Sequence, residues 1–291
     1  MESTELLKKI KKIEIKARGM SKQLFSGQYQ SAFKGKGMTF SEVRDYQYGD
    51  ETRTIDWNVT ARFNAPFVKT FEEEREQTVM LVIDISASES FGTINQSKRE
   101  YIVEVCAVLA FSAIANNDKV GVIFCTSQVE KYIPPRKGKN HILRIIRDLL
   151  EFQPENSETN LNSGLIQLTN AVKRRCTAFL VSDFLTTNYF ESLKLAKSKH
   201  DLIAIKCFDP METELPKLGL IKMLNPETLE KIWVNTNSLT TRKFYKNWWD
   251  ELNNNFEIYC KKSGVDQLSL STAENYATPL MKMFKKRLSK L

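Results

Sequence analysis

No stretch of this chain approaches the roughly 20 consecutive apolar residues that a membrane-crossing helix needs, so no integral membrane segment is expected among its 291 residues. The opening MESTELLKKIKKIEIKARGM has no signal-peptide apolar core. It reads as a basic amphipathic helix, and the chain is expected to stay in the cytoplasm. Histidine is nearly missing: His141 and His200 both fall near the ends of helical patterns, which leaves a Ser-His-Asp triad poorly supported. No glycine-rich phosphate loop of the P-loop form occurs, so the chain is not expected to hydrolyse ATP itself. Its cysteines, Cys106, Cys125, Cys176, Cys207 and Cys260, are far apart without CxxC spacing. They read as reduced core residues, not as disulfides or zinc ligands. Internal repeats and low-complexity linkers are absent as well.

What is present is an ordinary soluble composition, in which 42% hydrophobic and 27% charged residues allow a sizeable core. The formal charge of +8 sits at the ends: residues 1–40 contribute +6 and residues 281–291 contribute +5, leaving about −3 for everything between. A basic end helix is ordinarily a solvated or docking face. With no helix-turn-helix or RNA-recognition signature beside it, nucleic acid is not an expected partner.

From Thr78 the pattern alternates. The runs VMLVIDI (79–85), KVGVIFCT (119–126), TAFLVSDF (177–184) and LIAIKCF (202–208) are apolar on both faces, as strands covered by helices on either side must be. Between them, residues 96–117, 141–152, 161–173 and 189–200 carry apolar residues at helical spacing. This alternation predicts an α/β domain with a Rossmann-like, doubly wound, mostly parallel sheet. VEKYIPP (129–135) reads as an antiparallel edge strand and KIWVNT (231–236) as another. The expected division is an N-terminal helix with a small strand-and-loop subdomain over 1–77, the sheet domain over 78–238, and a helical C-terminal tail over 239–291.

The first core strand runs into Asp84, Ser86 and Ser88 at alternate positions. In open α/β sheets, ligands collect where strands reach their carboxyl ends. A tight loop there can turn three oxygens to one point; the same residues also suit a turn in which Ser88 or Ser90 caps the next helix. Asp183 ends a second core strand, and Thr159 lies in a polar loop just before a helix. Each suits a helix cap too. Together they offer two carboxylates and three hydroxyls, with no His or Cys expected near them. Hard oxygen donors of this kind favour magnesium or manganese.

Asp-x-Ser-x-Ser at the first strand, a Thr in a later loop and an Asp after a later strand resemble the metal-ion-dependent adhesion site (MIDAS) of von Willebrand factor type A domains. That resemblance implies that Ser86, Ser88 and Thr159 touch the metal directly or nearly so, while Asp84 and Asp183 act largely through bound water. Upstream, Gly35 and Gly37, then Arg44, Tyr46, Gly49 and Asp50, then Arg53, Ile55, Asp56 and Trp57, then Thr60, Ala61 and Arg62 resemble the signature of domain of unknown function 58, a bacterial family with a type A-like domain. The family implies work beside MoxR-type AAA ATPases in protein assembly or maturation. On physical grounds the charged and aromatic signature residues read as structural, since no positioned base or nucleophile accompanies them. No catalytic residue is assigned. The expected function is protein binding through a metal whose open position accepts an acidic residue of a partner. Two alternatives stand: a scaffold with an empty site, and a phosphohydrolase of the haloacid dehalogenase kind. The latter needs an acid two residues after the nucleophilic Asp, where this chain has Ser86.

Overall fold

The computed structural model describes residues 3–25, 38–63, 65–73, 77–92, 97–156, 158–224 and 230–289; Gly35 and Gly37 lie outside them. In chain order the elements are α1 Ser3–Phe25, β1 Met38–Asp45, α2 Trp57–Phe63, β2 Phe67–Glu73, β3 Thr78–Asp84, α3 Lys98–Ala115, β4 Lys119–Cys125, β5 Val129–Arg136, α4 Lys139–Glu151, α5 Leu161–Ala171, β6 Thr177–Ser182, α6 Phe190–Lys199, β7 Asp201–Phe208, β8 Leu220–Leu224, β9 Lys231–Asn235, α7 Leu239–Ser263, β10 Asp266–Ser271 and α8 Ala277–Leu288.

Six strands form one sheet in the order β10-β7-β6-β3-β4-β5, parallel throughout except for the antiparallel pair β4–β5. This is the predicted Rossmann-like, von Willebrand factor A-like architecture. All six residues of β6, and all of β3 after Thr78, are buried, because helices cover both faces and no polar side chain has a solvated face to occupy. The chain moves from β3 outward to β4 and β5, then returns to place β6 on the other side of β3. The strand order therefore reverses between β3 and β6. At such a switch point the loops leaving adjacent strands diverge and open a crevice.

Helix α3 is apolar nearly all round because the sheet, α1 and α4 all pack against it. Its contact with α1 buries Leu6, Ile10, Ile13 and Ala17. Helix α4 shows a single stripe, burying Ile142, Ile145, Ile146 and Leu149 at helical spacing. The opposite sheet face packs residues of α5, α6 and α7 around Met80, Val82, Leu180 and Ala204.

The expected edge strand at 231–236 is not part of this sheet. Residues of β9 pair antiparallel with β8 in a separate two-stranded hairpin, and the outer position beside β7 is taken by β10 from the tail. The chain also divides differently from the sequence-based division: residues 1–32 and 77–291 form one compact unit, and residues 33–76 form a second. The N-terminal helix thus belongs with the sheet, and the tail supplies one of its strands.

In the smaller unit β1 and β2 pair antiparallel, with an irregularity between Phe40 and Glu42. Arg44 grips Asp50 through two bonds of 2.8 Å, and Asp50 also accepts the Gln47 amide. Gly49 sits at φ +110°, a conformation that side chains rarely adopt. Asp56 accepts the Asn58 and Val59 amides at the start of α2 and pairs with Lys69; it is a helix cap. The Tyr46 amide bonds the Pro66 carbonyl. Arg53, Trp57 and Arg62 are exposed. Arg44, Gly49, Asp50 and Asp56 thus form a turn, a cap and an ion pair, while Trp57 lies exposed.

Candidate metal centre

Asp84 ends β3 and Asp183 follows β6, so the switch point brings the two together from positions far apart in the chain. Asp84 is buried, accepting the Ser86 amide at 2.9 Å on one oxygen and the Ser182 hydroxyl at 2.8 Å on the other. The Ser86 and Ser88 hydroxyls lie 3.1 Å apart, in a tight turn over Ala87–Ser90. Asp183, also buried, accepts the Leu185 amide at 3.2 Å and the Lys98 ammonium at 2.8 Å. Phe184, immediately after it, holds φ +56°, a strained conformation for an aromatic residue. Its amide is held by the Ser182 hydroxyl and its ring packs on Tyr189 and Phe256.

Thr159 is half-buried in the loop before α5, next to Asn160, whose amide bonds the Thr126 carbonyl just past the end of β4. It therefore occupies the same sheet edge. The helix-capping alternatives fall elsewhere: Ser97 caps α3, Asn160 caps α5, and Tyr189 stands at the cap of α6. Asp84, Ser86, Ser88 and Asp183 converge without serving as caps of α3, α5 or α6.

Glu89 joins this group although sequence reasoning passed over it. One oxygen of each of Asp84, Glu89 and Asp183 lies within 4.8 Å of the others. Glu89 accepts the Asp183 amide on Oε1 at 3.0 Å, while its Oε2 is buried with no hydrogen-bond partner among the described residues. The available signal was an acid inside SASES, a turn leaving a wholly buried strand. Lys98 was the second omission. A cation at the first position of a helix opposes the helix dipole, and this one is fully buried, bonding Asp183 and, at 2.7 Å, Glu212.

The electrostatics follow from burial. Burial and the neighbouring Asp183 charge push the Asp84 carboxyl up to about 6, and the same two causes push Glu89 well above the carboxylate range. Burial alone would lower the Lys98 pKa, but Asp183, Glu89 and Glu212 raise it above its ordinary value. The cluster holds more buried negative charge than Lys98 alone balances, an arrangement that protons or a hard cation relieve.

The expectation that no Cys lies near needs correction, because Cys125 on β4 is the register partner of Asp84. Its thiol is pushed up by burial first and by Asp84 second, which keeps it neutral and a poor ligand. His141 bonds the Val120 carbonyl and His200 lies beside Cys176. Both are at the opposite ends of the strands from Asp84.

The donor set fits a hard divalent ion: oxygens throughout, one of them a buried carboxylate oxygen without a partner among the described residues.

Comparison with known proteins adds the lineage. The family model described as "Protein of unknown function DUF58" matches residues 42–253. The uncharacterised protein Rv1480 of Mycobacterium tuberculosis is 28% identical over 231 residues, 78% of this chain and 73% of that protein. Among solved structures, an aerotolerance-related membrane protein from Bacteroides fragilis aligns at 14% identity over 74% of this chain and 100% of its own, with a TM-score of 0.50. The SpRpn10 VWA domain aligns at 10% identity over 72% of this chain and 95% of its own, with a TM-score of 0.41. Among the described residues no helix is long and apolar enough to cross a membrane.

Proposed function

The chain belongs to the DUF58 family, and on that premise we propose that it is a metal-dependent protein-interaction module holding magnesium or manganese at the carboxyl ends of β3 and β6. The observation that carries this reading is the buried Glu89 Oε2, unpartnered among the described residues, beside the oxygens of Asp84 and Asp183. A buried acceptor without a partner costs about 1–3 kcal/mol, and a cation removes that cost. Asp84, Glu89, Asp183, Ser86 and Ser88 would hold the ion, with Thr159 at the margin. The ion would supply Lewis acidity at a buried sheet edge.

A partner's carboxylate would be drawn by the ion itself, not by the net charge of the site, because Asp84, Glu89, Asp183 and Glu212 together exceed Lys98 and a divalent ion by one negative charge. A Glu or Asp of another protein would supply the oxygen for an open coordination position. The β8–β9 hairpin exposes Leu220, Leu224, Ile232 and Trp233, which favours a protein partner. The family resemblance makes a MoxR-type AAA ATPase the partner to test, and a cytoplasmic setting goes with it. The module is read as non-catalytic, because Ser86 stands where phosphoryl transfer needs an acid.

Lys98 supports one other reading. Its ammonium bonds both Asp183 and Glu212, so it can serve as the site's permanent cation in a scaffold without metal. Thermal melts separate the two. A ligand that binds only the native state raises Tm by mass action, so millimolar magnesium or manganese is expected to raise Tm of the wild type and to lose that effect in Ser86→Ala and Glu89→Gln. Equal shifts in all three, or none in the wild type, favour the scaffold. A pull-down of a MoxR-type ATPase with and without chelator tests the partner.

A further inference from the structure

The outer strand β10 borders a groove of about 720 Å³ that runs from α7 across the strand to α8. In a strand, the amide and carbonyl of one residue point to the same side and successive residues alternate. The Thr272 amide bonds Phe208 of β7, so the backbones of Leu270 and Leu268 also face β7. Those of Gln267 and Ser269 therefore face outward, on the side of β10 that pairs with no other strand among the described residues.

Ile258, Leu268 and Met283 give the groove its apolar lining, and Lys261, Lys282 and Lys286 form its rim. All three lysines are exposed. The other lining charges are weaker in sum: Arg287 is bonded to Asp266 and Asp201, leaving Glu257 as the acid set against three lysines.

We propose that this groove receives an acidic, extended segment of another protein, added to β10 as a further strand. Backbone pairing to Gln267 and Ser269 gives the segment its direction, apolar side chains on one face enter the groove, and acidic ones on the other meet the lysine rim. A second copy of this chain is disfavoured, since it brings the same lysines to the contact. Nucleic acid would use the lysines but has no alternating amides and carbonyls to pair with the strand. The inference is independent of the metal centre.

The test is fluorescence anisotropy on the full chain with a labelled peptide of alternating Glu and Val. The peptide is expected to bind with and without chelator, so loss of either result leaves the other proposal standing. The double variant Lys282→Glu/Lys286→Glu is expected to weaken binding by at least about tenfold through lost charge complementarity. Methylating alternate amide nitrogens of the peptide, which leaves the protein untouched, is expected to cost about tenfold or more by removing its strand hydrogen bonds. Ser269→Pro deletes an outward N–H and is expected to act the same way if its melt stays cooperative. Failure of the acidic peptide to bind, equal binding by a Lys/Val peptide or by the methylated peptide, or tighter binding by a short oligothymidine overturns the proposal.

Discussion

Lys206 is a fully buried cation whose ammonium donates to Asn253 Oδ1 at 2.6 Å and lies 4.8 Å from the centre of the Trp249 ring. Burial lowers its pKa from 10.5 to about 8, against the pull of Asp183 and Glu212. Between those two values the unfolded chain holds a proton that the folded chain has released, so stability rises with pH across that window. Below about 8 both states are charged, and the folded state bears the full cost of burying the ammonium. The stability of wild type minus that of Lys206→Met, measured by urea titration, should therefore climb between pH 8 and 10.5 at no more than about 1.4 kcal/mol per pH unit. A flat difference would mean that the ammonium reaches water.

Helix α5 sets the height of the site above the sheet, and Gly164 is where it comes closest. A Cβ at that position would lie 2.7 Å from Val82 Cγ1 and 2.8 Å from Cys125 Sγ. Both neighbours are buried on central strands and have little room to give. Alanine gains up to about 1 kcal/mol in helix propensity over glycine, while overpacking a core costs about 1–3 kcal/mol. The second effect should win. Gly164→Ala is expected to lower the urea midpoint and, by lifting the start of α5 with the Thr159 loop, to reduce the rise in Tm proposed for magnesium or manganese. An unchanged midpoint would show that α5 can slide at no cost.

For the molecule as a whole, α1 decides whether α3 has an apolar face left in water. Lys9 and Lys16 pair with Glu100 and Glu104 of α3, and Glu14 pairs with Lys139 of α4. Such partly exposed pairs are worth about 0–1 kcal/mol each. Burying Leu6, Ile10 and Ile13 contributes about 1.5–3 kcal/mol apiece, so apolar burial, not charge, holds the helix. Removal of residues 1–25 is expected to lower unfolding free energy by several kcal/mol and to raise binding of an apolar dye. A truncated chain with the same midpoint and no dye binding would contradict this packing.

Local pattern was enough to place β3, β4, β6 and β7, the helices between them, and Asp84, Ser86, Ser88 and Asp183 at strand ends, because apolar periodicity and strand termini are written in neighbouring residues. It did not show that 266–271 completes the sheet, since the short alternating DQLSLS is only half covered and its partner β7 decides its place. Nor did it separate β9 from the sheet, because an exposed hairpin and an edge strand share the same alternation. The charge balance of the site was also outside its reach. Lys98 meets Asp183 across 85 positions and Glu212 across 114, and Glu89 faces the cluster through the turn that follows β3. Which strands lie side by side, and which buried charges must then face each other, are long-range consequences of packing; only the tertiary structure decided them.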